Sequence, residues 1–178
     1  MDIATRMKNK KKVLITGANG LLGQKLVAQL VEKGGYHIFA SGKGDCRLPG
    51  DGFEYVTLDI TNMTEVEKTL AEIQPDTIIH GAAMTNVDQC ELNQEECYDA
   101  NVNATRYLIQ AAEKCKAHFI FVSTDFIFSG EKELLDENEK ASPVNYYGET
   151  KLVGEQLVMA CETKWTIART VLVFGIAH

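Results

Sequence analysis

Two side chains in the last third of the chain, Tyr147 and Lys151, have the spacing that acid–base chemistry requires. Four positions separate them, so on a helix they lie on one face. A phenol has an ordinary pKa of about 10 and is a poor acid or base near neutrality. Because a nearby ammonium favours the phenolate, we expect Lys151 to lower the pKa of Tyr147 toward the working pH.

A third polar group, Thr124, follows an apolar run that predicts a buried strand. Its hydroxyl can hydrogen-bond a substrate oxygen at the end of that strand and fix the orientation of the substrate. A Tyr-x-x-x-Lys pattern alone arises often by chance. The three residues therefore indicate catalysis only if the chain also carries a site for a cofactor.

Such a site is indicated near the start of the chain, where Gly17, Gly20 and Gly23 follow a short apolar run and precede a helical pattern. Glycines at such a turn let the backbone approach a pyrophosphate and let the helix pack on the strand. The helix N-terminus adds a partial positive charge for the anion. The Lys-Ser/Thr ending of a P-loop is missing, so the pattern favours a dinucleotide over a nucleoside triphosphate.

The residues after the second predicted strand bear on the choice between NADPH and NADH. A carboxylate there would bind the free 2′-hydroxyl of NADH, but none occurs before Asp45, whereas Ser41, Lys43 and Arg47 could receive a 2′-phosphate. We expect NADPH to bind at least as tightly as NADH. Lys43 and Arg47 could equally be ordinary loop charges.

The elements that must position these residues are short apolar runs alternating with amphipathic stretches. Continuous apolar strands joined by helices indicate an α/β fold, a Rossmann-type doubly wound parallel sheet of about six strands with helices on both faces. The predicted strands are 13–16, 38–41, 55–58, 77–80, 119–123 and 166–171.

Four helices are predicted between the strands. Apolar spacing over 22–31 predicts the first, which ends at Gly34-Gly35. Asn62 and Glu65 resemble a capping box that starts the second, and Pro75 ends it. The third and fourth are predicted over about 95–114 and 145–161. Cys90 and Cys97, seven positions apart, are expected to share a helix face as small buried hydrophobes rather than as a redox pair.

Length and composition are those of one globular domain: 178 residues, 45% hydrophobic and 24% charged. A net charge of −7 argues against nucleic-acid binding. Five basic residues lie in the first twelve positions, so we expect a solvated basic arm over 1–12 and the domain over 13–175. No apolar run is long enough for a membrane span, and five cysteines without metal-ligand spacing favour the cytoplasm and no metal site.

Motifs along nearly the whole chain carry a resemblance to a known family. They are 13–23, Asp59-Ile60, 80–85, 101–105, 123–128 and 146–155. In their order they resemble the N-terminal domain of the extended short-chain dehydrogenase/reductases. Within that family the chain is similar to the dTDP-4-dehydrorhamnose reductases and related nucleotide-sugar reductases.

The resemblance implies a role for each matching residue. Thr124, Tyr147 and Lys151 would be the catalytic triad, with Lys151 also holding the nicotinamide ribose. The substrate would meet Asn86, Val87, Thr124, Asp125, Phe126 and Tyr147. The cofactor would meet Tyr147 and Lys151 together with Gly17, Asn19, Gly20, Leu21, Leu22, Gly23, Ser41, Lys43, Asp59, Ile60, Gly81, Ala82, Ala83 and Thr85.

The implied activity is NAD(P)H-dependent reduction of the C4 keto group of a 4-keto-6-deoxy nucleotide sugar, as in dTDP-L-rhamnose biosynthesis. NADPH is the expected cofactor, with NADH possible, and a homodimer is a possible assembly. Two positions depart from the family: Phe126 stands where tyrosine is usual and Leu172 where tryptophan is frequent. Family members continue into a C-terminal substrate domain after the sixth strand. We therefore expect that domain to lie outside this chain, and the chain to bind cofactor better than it turns over a sugar.

Three alternatives follow from the same residues. A nucleotide-sugar epimerase would share the fold and the triad. A 4,6-dehydratase would need an acidic residue at position 126, where Phe126 cannot carry a proton. A non-catalytic regulatory subunit would keep the cofactor fold but usually loses catalytic residues, and here the triad is intact.

Overall fold

The computed structural model describes residues 10–132 and 134–176, and these residues form one parallel sheet. Its six strands lie in the order β3-β2-β1-β4-β5-β6. This order confirms the doubly wound α/β prediction, and it places a crevice at the carboxyl ends of β1 and β4, where the winding reverses. The strands are β1 (Lys11–Thr16), β2 (Tyr36–Gly42), β3 (Glu54–Thr57), β4 (Thr77–His80), β5 (His118–Thr124) and β6 (Trp165–Thr170).

The strands alternate their side chains between two apolar layers, as the period of a strand requires. On one face Val13 and Ile15 of β1 pack with Val27 from the first helix. On the other face Leu14 packs in a larger layer that includes Leu70 from the second helix. Helices therefore cover both faces, and every strand end that could carry chemistry opens at the same edge of the sheet.

Three helices agree with the sequence predictions to within a few residues. They are α1 (Leu21–Lys33), α2 (Met63–Ile73) and α6 (Tyr146–Met159). The predicted cap of α2 is confirmed, because the side chain of Asn62 accepts a hydrogen bond from the Glu65 backbone N–H at 3.3 Å.

The predicted helix over about 95–114 is confirmed in its extent, but it is not regular α-helix throughout. A short α4 (Gln94–Tyr98) passes through a π-helical turn at Asp99–Asn103 into α5 (Ala104–Cys115). A further helix, α3 (Val87–Leu92), was not predicted. Six residues are too few to show an apolar period, and the available signal was Asn86 followed three positions later by Gln89, a pattern typical of a helix start.

The predicted boundary between the basic arm over 1–12 and the first strand is wrong by two residues. Lys11 and Lys12 already belong to β1, whereas residues 1–9 lie outside the described part of the chain. The Lys12 backbone N–H donates to the Asp76 carboxylate at 2.7 Å, and its ammonium donates to the Ile73 carbonyl at 2.7 Å. These bonds tie the start of β1 to the end of α2.

Cys90 and Cys97 are both fully buried, as predicted for small hydrophobes, but they do not share a helix. Cys90 lies in α3 and Cys97 in α4. Burial is the main reason that the pKa of the Cys90 thiol is raised to about 12, which keeps it protonated and unreactive near neutrality.

Within the described ranges, no helix is long and apolar enough to cross a membrane. The same residues hold no group of three or more His, Cys, Asp or Glu side chains that could bind a metal ion.

Candidate active site

The glycine turn between β1 and α1 is shaped by contacts that exclude larger side chains. Gly17 has a φ of +72°, and a Cβ there would lie 2.8 Å from the backbone of Ala82. At Gly23 a Cβ would lie 2.3 Å from the carbonyl oxygen of Gly17. No side chain caps the N-terminus of α1, which begins after Gly20. The turn therefore presents backbone N–H groups and a helix dipole to the crevice, the arrangement that binds a pyrophosphate.

Two clefts meet at this turn and form a groove along the carboxyl edge of the sheet. Both are lined by Gly17, Ala82 and Ala83. The first, of about 850 Å³, lies over the ends of β2 and β3 and contains Lys43 and Asp59. The second, of about 620 Å³, contains the predicted catalytic residues Thr124, Tyr147 and Lys151 together with Gly20, Leu21, Leu22, Gly23, Gly81, Thr85, Val87 and Phe126.

In the first cleft, Lys43 and Asp59 form an ion pair. The ammonium nitrogen lies 2.9 Å from Oδ2 of the carboxylate. A hydrogen bond from Lys43, and then one from the Thr61 hydroxyl, hold the pKa of Asp59 below its ordinary value. The pair lies at the groove's surface, because 81% of the Lys43 side chain is exposed. The cation expected to receive a 2′-phosphate is thus already paired with an anion in the same cleft.

Two other predicted cofactor residues have side chains bonded within the protein, although Ser41 is among the residues that line the first cleft. The buried Ser41 hydroxyl donates to the Ile15 carbonyl at 3.2 Å. The Asn19 side chain is bonded to the loop that follows β2 and lines neither cleft. Ile60 lines the first cleft beside Asp59, as predicted.

At the other end of the groove, glycines let α6 approach the sheet. A Cβ at Gly148 would lie 2.3 Å from the carbonyl oxygen of Phe126, and a Cβ at Gly154 would lie 2.7 Å from the Phe121 ring. The Asn145 side chain caps the helix by accepting from Gly148 N–H at 2.8 Å. This close packing places Tyr147 and Lys151 on the helix face that meets the end of β5, with each less than a tenth exposed.

The expectation that Lys151 lowers the pKa of Tyr147 is wrong in this structure. The Lys151 ammonium donates to the Val122 carbonyl at 2.8 Å and lies 4.0 Å from the centre of the Phe121 ring. Burial dominates both groups: it raises the pKa of Tyr147, with the Thr124 hydroxyl opposing the rise, and lowers the pKa of Lys151 to about 7. Tyr147 is therefore a neutral phenol near neutrality, the form that donates a proton.

The groups around the phenol are well defined. The Phe126 ring lies edge-on to the Tyr147 ring, with centroids 5.8 Å apart, and remains 43% exposed at the mouth of the cleft. The Thr124 hydroxyl donates to the Asp125 carboxylate at 3.1 Å and accepts from the Phe126 N–H at 3.2 Å. Asp125 itself lines a separate cleft, next to Arg169.

Asn86, predicted to contact substrate, accepts a hydrogen bond from Gln89 N–H at 2.9 Å and caps α3. Neither cleft of the groove includes Asn86 among its lining residues.

A buried polar network that the sequence analysis missed holds the strand-end loop 81–84 in place. The Asn101 side chain accepts from Met84 N–H at 2.8 Å and donates to the Met84 carbonyl at 3.0 Å and to the Thr150 hydroxyl at 3.0 Å. It therefore joins the π-helical turn, the loop and α6. Polar residues on an otherwise apolar helix face were the available signal.

His80 extends this network and is electrically neutral. Thr105 Oγ1 donates to the Asn101 carbonyl at 2.7 Å, so it accepts from His80 Nε2–H at 3.0 Å. His80 Nδ1 then accepts from the Thr16 hydroxyl, which in turn accepts from Ala82 N–H. Burial, and to a lesser extent the nearby Lys151, lowers the pKa of His80 to about 3. A fixed neutral imidazole thus supports the loop beside the glycine turn.

Comparison with known proteins finds relatives that match most of the chain. The sequence profile of the RmlD substrate binding domain matches residues 11–178. The dTDP-4-dehydrorhamnose reductase of Aggregatibacter actinomycetemcomitans is 36% identical over 165 residues, 92% of this chain and 52% of that protein. Methionine adenosyltransferase 2 subunit beta of Xenopus tropicalis is 32% identical over 165 residues, 93% of this chain and 48% of that protein.

Among solved structures, the dTDP-4-dehydrorhamnose reductase of Bacillus anthracis in complex with NADP is 37% identical. It superposes with a TM-score of 0.79 over 91% of this chain and 53% of that one. The chain thus spans about half the length of the relatives that it matches. Because the family profile covers nearly every residue, the chain belongs to the RmlD substrate binding domain family.

Proposed function

We propose that this chain is the dinucleotide-binding part of an NADPH-dependent reductase that acts on the C4 keto group of a 4-keto-6-deoxy nucleotide sugar. One observation carries the proposal: Thr124, Tyr147 and Lys151 lie together at one end of a groove whose middle is the glycine turn. The names of its reductase relatives, one of them solved with NADP, support this choice.

The residues present fit a dinucleotide. A Cβ at Gly17 would fill the close approach between the glycine turn and the loop after β4, and the uncapped N-terminus of α1 would hold a pyrophosphate there. The first cleft would take the adenosine and the second the nicotinamide ribose. When bound, the reduced nicotinamide supplies the hydride.

Each catalytic residue then has a distinct task. Tyr147, held neutral by burial, donates its phenolic proton to the alkoxide oxygen that forms at C4. The Thr124 hydroxyl, now directed at Asp125, can rotate to donate to the same oxygen and orient it. Lys151 has one ammonium hydrogen on the Val122 carbonyl, so its other hydrogens can reach the nicotinamide ribose.

The alternatives rest on less. The subunit-beta relatives suggest a non-catalytic role, but nothing at the groove favours it, since the three catalytic side chains are present and share one cleft. An epimerase would share this fold, because a UDP-glucose 4-epimerase of Brucella ovis superposes with a TM-score of 0.81 at 24% identity. We propose the cytoplasm as the compartment, since all five cysteines are free and reduced nicotinamide cofactors are used there.

The test is turnover by the complete protein of dTDP-4-dehydrorhamnose with NADPH, followed by cofactor oxidation and by identification of the sugar product. We expect reduction at C4 that requires Tyr147. Interconversion of two sugars without net cofactor oxidation would favour the epimerase, and cofactor binding without turnover would favour the regulatory subunit.

A further inference from the structure

One side chain, Asn19, ties the glycine turn to residues 43–47, which we name the β2–β3 loop. Its amide nitrogen donates to the Asp45 carbonyl at 3.0 Å and to the Tyr55 hydroxyl at 2.9 Å, and its amide oxygen accepts from Arg47 N–H at 2.9 Å. Three hydrogen bonds of this amide, including both of those from its nitrogen, join it to the loop or to the residue beneath it. Asn19 is therefore built to hold the loop rather than to reach into the groove.

Tyr55 completes the attachment from below. Its hydroxyl accepts from Asn19 and donates to the Gly44 carbonyl at 3.1 Å, while its ring packs against the apolar layer that contains Ile38. The end of β2 leaves room for the pair, because a Cβ at Gly42 would lie 3.0 Å from the Tyr55 oxygen and 3.1 Å from the Asn19 nitrogen. The loop thus leaves the strand in a direction set by two side chains.

The loop that is held this way begins with Lys43. In a sheet of this topology, the residues just after β2 face the 2′ position of the adenosine ribose. Among the described residues that line this cleft, Lys43 is the basic one, whereas Asp59, Glu95, Glu96 and Asp99 are acidic. A dianionic 2′-phosphate would therefore depend on where the Lys43 ammonium is placed.

We infer that Asn19 and Tyr55 are positioning residues that set the β2–β3 loop so that Lys43 reads the 2′ substituent of the cofactor's adenosine ribose. When NADPH binds, the Lys43 ammonium leaves the Asp59 carboxylate and pairs with the 2′-phosphate instead. Asp59 keeps two hydrogen bonds after the exchange, because its other oxygen, Oδ1, accepts from Thr61 N–H at 3.1 Å and from the Thr61 hydroxyl at 2.7 Å. The inference rests on the proposed function, since it names the part of the cofactor that this loop distinguishes.

The exchange also limits the size of the effect. Lys43 gains a phosphate but loses a carboxylate, and exposed ion pairs are individually weak. We expect the ratio of the NADH and NADPH dissociation constants to fall about two- to fivefold when Lys43 is removed. Because the charges are exposed, the ratio should also fall as the salt concentration rises.

The experiment measures the dissociation constants of NADPH and NADH for the same preparation by fluorescence titration, in the wild type and in Lys43→Ala, Asn19→Ala and Tyr55→Phe. Contacts common to both cofactors cancel in the ratio. Lys68→Ala, an exposed lysine on α2 outside both clefts, is the matched charge control. We expect Lys43→Ala, Asn19→Ala and Tyr55→Phe to lower the ratio of the NADH and NADPH dissociation constants to a similar extent, while the NADH constant changes less than about twofold. Lys68→Ala should leave both constants unchanged.

An equal loss for both cofactors in Asn19→Ala and Tyr55→Phe would assign these residues a purely structural role and overturn the inference. An unchanged ratio in all three variants would overturn it as well. Tyr55→Phe keeps the ring in the apolar layer, so it and Lys43→Ala decide the matter if Asn19→Ala does not fold. If the wild type binds neither cofactor, the proposed function itself is overturned and the inference with it.

Discussion

The glycine turn in the middle of the groove and the end of the groove that holds Tyr147 differ in the groups that they present. Around the glycine turn the groups that face the groove are backbone, and Gly17 and Gly23 leave no room for a Cβ. At the catalytic end they are the side chains of Thr124, Tyr147 and Lys151, each less than a tenth exposed. The glycine turn would bind a cofactor because no side chain blocks its backbone. At the catalytic end, burial keeps water from Tyr147 and Lys151, the two groups that titrate.

This difference determines which substitutions should affect the glycine turn and which should affect the catalytic end. Around the glycine turn, we expect shape to determine cofactor binding, so a single added methyl group is the relevant perturbation. At the catalytic end, burial shifts the pKa of Tyr147 upward and that of Lys151 down to about 7, so charge and protonation are the relevant variables. Substitutions at the glycine turn should therefore change cofactor binding, whereas substitutions at the catalytic end should change kcat.

The largest expected effect is at the catalytic end. In the complete protein, Tyr147→Phe should lower kcat by about 10²–10⁴-fold, because the ring still packs beside Phe126 but the proton donor is lost. The NADPH dissociation constant should stay nearly unchanged. Steady-state kinetics with a parallel cofactor titration measures both, and a near-normal kcat would show that another group is the acid.

The converse separation is expected at the glycine turn. Gly17→Ala should weaken NADPH binding more than about tenfold, since its methyl group would lie against the Ala82 backbone in the groove. Gly34→Ala is the matched control: its φ of +66° is similarly strained, but nothing lies within 4 Å of the added atom. Gly34→Ala should lose about 1–2 kcal/mol of stability from the backbone strain, and Gly17→Ala should lose more because of its contact with the Ala82 backbone. Equal cofactor affinities in the two variants would contradict the role proposed for the turn.

The smallest effect concerns the charge on Lys151 and the pH dependence of folding. The unfolded chain keeps the ordinary pKa of 10.5, so between about pH 7 and 10.5 it binds more protons than the folded chain, and wild-type stability rises with pH. Below that window the destabilisation by the buried ammonium is at its maximum. Lys151→Met should therefore gain more than about 1.4 kcal/mol relative to the wild type near pH 6, and this gain should vanish toward pH 10.5.

Urea denaturation of the two proteins at several pH values measures that difference. The exposed Lys68→Met is the control, and it should show no pH-dependent change in relative stability. A Lys151→Met difference that is flat with pH would mean that the amine is charged and satisfied in the folded state.

The same contrast explains what the sequence could predict. The strands, the cap at Asn62 and the glycine turn follow from local pattern, because apolar period and glycine spacing are properties of neighbouring residues. The shared helix face of Tyr147 and Lys151 follows from a spacing of four. Their protonation does not, since it depends on how closely α6 approaches β5 at Gly154.

The roles of residues whose partners are distant in the sequence could not be predicted from local pattern either. Asn101 bonds a loop 17 positions away and a helix 49 positions away, and the π-helical turn that contains it looks like ordinary helix in the sequence. Asn19 was assigned to the cofactor by resemblance, but its partners lie 26 to 36 positions further along the chain. Long-range polar contacts of this kind become visible only when the chain is folded.

We propose that the glycine turn and the residues Thr124, Tyr147 and Lys151 form one cofactor site. The most direct measurement is a titration of this chain with NADPH followed by the backbone amide NMR signals of both regions. We expect signals at Gly20–Gly23 and at Thr124 and Lys151 to shift together along a single saturable curve. Shifts confined to one region, or two curves with different midpoints, would contradict the proposal that both regions form one site.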